Sequence, residues 1–83
     1  MAKLTSMPNI GKAMAQKLAS AGISTPEELR ALGSKEAFFR LKLRYSNVCL
    51  VHLFALEGAV AGVAYNQLPE KVKTDLKAYS DSL

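Results

Sequence analysis

Cysteine and histidine occur once each, at Cys49 and His52. A single cysteine excludes an internal disulfide and fits a reducing compartment. The two residues are three apart and share a helix face, but Glu57 follows His52 by five positions, about 140° around a helix. The set does not converge, and metal sites need three or four ligands. We therefore read a core cysteine and a histidine at a helix edge, with no metal and no cofactor. The acidic residues form no pair suited to general acid–base work, and phosphate-binding loops, dinucleotide glycine patterns and nucleophile elbows are all missing. No catalytic residue is assigned, and the chain reads as non-enzymatic. Met1 to Gly11 holds no apolar stretch of secretory length. The longest apolar run, Val48 to Ala64, would span roughly 25 Å as a helix against a hydrocarbon core of about 30 Å, and it contains His52 and Glu57. It reads as a buried helix and not a membrane span, and a cytoplasmic location is expected. Low-complexity tracts and internal repeats are absent. The only strand-like stretch is the five-residue tail Leu41–Tyr45, which we keep helical.

What remains is an ordinary globular composition. The 83 residues, 49% hydrophobic and 22% charged, make one domain spanning 1–83. A chain of this size buries only about 60–65% of its unfolded surface, so a partner subunit would help its core. The net charge is +4, and Lys3, Lys12 and Lys17 all precede the first acidic residue, Glu27; Arg40, Lys42 and Arg44 form a second basic group. That distribution fits a polyanionic partner and also fits a solvated surface.

Apolar spacing and cap residues predict an all-α bundle of about five helices. Lys3–Met7 makes a single turn that Pro8 stops, and Pro8–Gly11 is a hairpin with Gly11, then Asn9, the residues best suited to positive φ. Ile10, Met14, Leu18 and Ala21 lie on one face of the helix that follows, with Gly22 at C′ and Ile23 packing back. Thr25, Pro26 and Glu28 make a capping box for a short helix that Gly33 ends. Ser34 caps a third helix carrying a Glu36–Arg40 pair, with Ala37, Phe38 and Leu41 facing inward. Asn47 caps the apolar helix, and Pro69 opens the last one, with Val72, Leu76 and Tyr79 as its stripe and Lys71, Lys73 and Lys77 outside.

Two surfaces are candidates for function. A hairpin feeding a helix N-terminus presents unpaired amides that attract phosphate, and Lys12 in the first turn opposes the helix dipole unless an anion is near. The candidate nucleic-acid residues are Asn9, Ile10, Gly11, Lys12, Ala13 and Lys17. The apolar helix is hydrophobic on nearly every side, and Gly58, Ala61 and Gly62 would let another helix approach. Leu50, Phe54, Gly58, Ala61 and Gly62 are therefore candidates for a homodimer interface, although a central core helix in a monomer reads as well. Glu57, inside this helix, needs a reason: a lysine partner, a neighbouring helix to cap or solvent at an edge would each supply one, and a structural hydrogen bond is favoured.

Met7–Lys12, followed by Ala15, Leu18, Ala21–Ile23 and Thr25–Leu29, resembles a helix-hairpin-helix motif, with Asn9 where the first hairpin glycine usually stands and almost no first helix. Such motifs hold DNA backbone through hairpin amides without reading sequence. Leu32–Ala37, Leu53–Ala59 and Asn66–Pro69 extend the resemblance, over about Leu4 to Leu76, to the C-terminal domain of the TfoX/Sxy competence regulators. The resemblance implies a small helical bundle of bacterial origin, here standing alone, without the regulators' N-terminal domain. It also implies a DNA-associated or competence-regulatory accessory protein; the alternative is a homodimeric adaptor that docks on a transcription or competence factor.

Overall fold

Residues 3–83 are described by the structure, a computed structural model. A 3-10 turn at Leu4–Ser6 is followed by α1 (Lys12–Ser20), α2 (Pro26–Leu32), α3 (Ser34–Arg44) and α4 (Leu50–Ala61), then a 3-10 turn at Tyr65–Gln67 and α5 (Glu70–Asp81). The chain is all-α, as the spacing predicted, and the tail of α3 is helical through Arg44. Among the described residues no helix is long and apolar enough to cross a membrane.

The local signals that are complete in sequence are complete in space. Ile23 N–H donates to Leu18 O (2.9 Å) and Gly22 N–H to Ala19 O (3.0 Å), the two bonds of a Schellman end, with Gly22 at φ +87°. In α2 the Glu28 N–H donates to Thr25 Oγ1 (3.1 Å), and Glu28 Oε1 accepts from the Thr25 N–H (3.1 Å) and the Ser24 N–H (2.9 Å). All three bonds hold the α2 entry.

Two expected caps are corrected. Gly33, at φ +85°, both ends α2 and stands as the N-cap of α3, so Ser34 is the first helical residue. Its hydroxyl is thereby turned inward and donates to Glu57 Oε1 at 2.6 Å. Asn47 does not cap α4. Val48 is drawn into the core, 1% exposed, and the chain reaches helical geometry only at Leu50. Cys49 is the N-cap instead, and its N–H donates to His52 Nδ1 (3.1 Å), so the histidine closes the first turn. This places Cys49 at the surface and not in the core.

Helix α4 is shorter than its apolar run because Gly62, at φ +79°, stops it. Its own chain covers most of it, with Val51 left exposed. The helices α2, α3 and α5 and the Tyr65–Gln67 turn all pack on it, burying Leu53, Ala55, Leu56, Gly58 and Ala59. Phe38 and Leu41 of α3, Leu18, Ile23 and Leu29 complete the core from one side, and Leu76 of α5 from the other.

Candidate functional site

The hairpin ahead of α1 is built around Asn9. Asn9 takes the left-handed conformation, φ +68°, while Gly11 is extended at φ −89°, ψ −179°. The expectation that Gly11 supplies positive φ is thus corrected: the turn is made one step earlier, by the residue type that best tolerates it after glycine. The asparagine side chain also does something glycine could not. Its Nδ2 donates to Val63 O (3.0 Å) and, more weakly, to Ala55 O (3.4 Å), and its Oδ1 accepts from the Tyr65 N–H (3.1 Å). One amide therefore fastens the hairpin to the end of α4 and the loop beyond it.

Gly58 makes room for that amide. A methyl group there would collide with Asn9 Nδ2 and lie 2.7 Å from Val63 O. Gly58 is buried, so the close approach it permits to Asn9 and Val63 is made inside the chain. Of the other residues assigned there, Leu50 and Phe54 are half-buried against the core, and Ala61 and Gly62 are exposed at the end of α4. Most of the apolar surface of α4 is covered by its own chain, with Val51 left 56% exposed.

The candidate nucleic-acid residues divide into two groups. Gly11, Lys12 and Ala13 are exposed. Among the described residues no side chain caps α1, and no acidic residue occupies its first turn. The helical ladder begins with Ala15 N–H to Gly11 O (2.9 Å), which leaves the amides just before it at the open end. The remaining three residues make contacts within the chain. Asn9 is turned inward. Ile10 is 4% exposed and its N–H points to Met7 O at 3.4 Å. Lys17 is five positions from Lys12, about 140° around the helix, and its Nζ lies 5.4 Å from the centroid of the Tyr45 ring. The Tyr45 hydroxyl in turn pairs with Ser20 Oγ at 2.7 Å.

Glu57 has the structural hydrogen bond expected of it, to Ser34 at the start of α3, where a negative charge is favoured by the helix dipole. Glu57 also borders a cleft of about 540 Å³ between α5 and the α2–α3 junction. There Lys35 Nζ lies 2.8 Å from Asp75 Oδ2, and the hydrogen bond to Asp75 holds Lys35 above its ordinary pKa, with Glu57 adding in the same direction.

The anchoring of Asn9 was missed in the sequence. Its one signal was Gly58, a glycine inside an apolar helix, which states that something approaches closely without stating what.

Comparison with known proteins fits this geometry. The TfoX C-terminal domain family matches residues 1–79. Protein Sxy of Escherichia coli (strain K12) is 35% identical over 81 residues, covering 98% of this chain and 39% of Sxy. The chain thus spans well under half the length of that curated relative. An uncharacterized protein from Listeria monocytogenes, in a triclinic crystal form, superposes with a TM-score of 0.96 at 49% identity, over 98% of this chain and 92% of that one. A protein of unknown function from Listeria monocytogenes, in a tetragonal form, gives 0.92 at 49% identity, over 95% and 96%. With the match running across nearly the whole chain, this chain belongs to the TfoX C-terminal domain family.

Proposed function

We propose that the chain is a non-enzymatic regulatory module that holds duplex DNA by its phosphate backbone at the N-terminus of α1, in the service of competence or transcription. One observation carries the reading: the α1 N-terminus is exposed, capped by a glycine with no side chain to satisfy its amides, and begins with Lys12 in place of an acidic residue. An anion at that point would accept from the open amides and complement both the dipole and the lysine. The anchoring of Asn9 supports the reading further, because a hairpin fixed before binding loses little entropy on binding. Such contacts are made to backbone and carry no sequence preference. Membership of a competence-regulator family is consistent with this use.

The test is duplex binding by fluorescence anisotropy. Two duplexes of unrelated sequence should bind with equal affinity. Lys12→Glu should weaken both at least tenfold, since it removes a cation and puts an anion where the phosphate would sit. Undiminished affinity in that variant would remove the hairpin from any account of DNA binding.

A further inference from the structure

The outer face of α3 carries a surface the hairpin reading does not use. Phe39 and Leu43, one helical turn apart, are 38% and 71% exposed. Leu43 stands as a ridge between two concavities. One, of about 420 Å³, lies between Phe39, Lys42 and Leu83; the other, of about 460 Å³, lies between Arg40, Arg44 and the end of α1 at Ala21. Arg40 is paired with Glu36 at 3.2 Å; Lys42 Nζ lies 5.9 Å from the centroid of the Phe38 ring, and neither Lys42 nor Arg44 has an ion pair among the described residues. An apolar ridge thus has an unneutralised cation on each side.

From this we infer that the α3 face docks an acidic amphipathic helix of a partner protein. Apolar side chains of such a helix at i, i+3 and i+4 would straddle Leu43 and fill both concavities, and carboxylates on its flanks would meet Lys42 and Arg44. Three other occupants fit less well. A second copy would set Lys42 and Arg44 near their own equivalents across a two-fold axis, like charge against like. A nucleic acid would reward the cations but leave the aliphatic ridge without a partner. A lipid surface has no protruding side chains to enter the concavities. The face is also separate from the DNA site. Ala21 lies at the C-terminal end of α1, about 13 Å along the helix from Lys12.

The test uses the full chain and a labelled peptide of about 18 residues, helical, with leucine and phenylalanine on one face and glutamate on the others. We expect saturable binding that weakens at least tenfold in Leu43→Asp and in the Lys42→Glu/Arg44→Glu pair, and that is unchanged in Lys12→Glu. All the altered side chains are exposed, and unchanged thermal melting shows that each variant is folded; if Leu43→Asp melts early, the paired charge variant decides alone. A control peptide with serine for its apolar residues should bind at least tenfold more weakly. Equal binding of that control would overturn the proposal in favour of charge alone. Equal binding of the acidic peptide to Leu43→Asp and to the charge pair would overturn it for this face. So would light scattering that shows a dimer broken by Leu43→Asp, or anionic vesicles or duplex DNA losing more affinity than the peptide in that variant.

Discussion

Replacing Asn9 with glycine keeps the left-handed turn available and removes three hydrogen bonds at once. One of them is long and the Tyr65 N–H is exposed, but the Val63 and Ala55 carbonyls left behind sit partly buried, so the loss should be about 1–3 kcal/mol, read as a lower urea midpoint with an unchanged slope. Gly58→Ala attacks the same joint from the other side, and the overpacking should also cost about 1–3 kcal/mol. The two are coupled. With the Asn9 amide gone, the new methyl group loses its closest clash and meets only the backbone at Val63 O and Tyr65 N, so the double variant should lose less than the sum of the single ones. Strict additivity in that cycle would show that Asn9 and Gly58 do not act on each other. Half of this joint was legible: Asn9 is the residue type that, after glycine, best takes positive φ. Its target was not, because the side chain reaches residues 46 to 56 positions away and no local rule reports such a distance.

At the scale of elements, starts and stops were readable where the signal is self-contained and unreadable where burial decides. The capping box of α2 involves only Thr25 and Glu28, three residues apart, and nothing in the core competes with it. Thr25→Ala should therefore destabilise the fold by about 1 kcal/mol. Asn47 offered a signal of the same kind, but the burial of Val48 and the role of His52 move the α4 cap to Cys49. Asn47→Ala should accordingly stay within about 0.5 kcal/mol of the parent, as an ordinary surface change does. Chemical denaturation of the pair separates the cases, and an Asn47→Ala loss as large as that of Thr25→Ala would mean the cap had been misplaced. Ser34 follows the same logic. The hydroxyl suits a cap, yet its burial beside Glu57 gives it a tertiary partner instead, and the glycine before it caps α3. The exposed pair Phe39 and Leu43 was hidden in sequence for a related reason, since apolar residues at helical spacing look the same whether the core or the solvent receives them.

For the molecule as a whole, the accessible surface is 4863 Å², and a monomeric protein of its 9.0 kDa mass is expected to expose about 4850 Å². The chain thus exposes the surface its mass predicts, and its function rests on what that surface presents. Two basic regions lie apart on a body of 33 × 26 × 20 Å, one at the hairpin and one along α3. Salt dependence measures how many cations each contributes. With Lys17 drawn to Tyr45, the α1 N-terminus keeps Lys12, and Lys3, exposed beside Ala15 and Ala19, is the other cation this N-terminal segment offers. Two phosphate contacts give a slope of about −1.8 in log affinity against log salt, roughly a twelvefold loss between 50 and 200 mM. Lys12→Glu should bring the slope to about −0.9 or shallower, while Lys42→Glu with Arg44→Glu should leave it unchanged. A parent slope steeper than about −3, flattened by the α3 variant, would mean that DNA runs along α3 as well and that the two surfaces act as one.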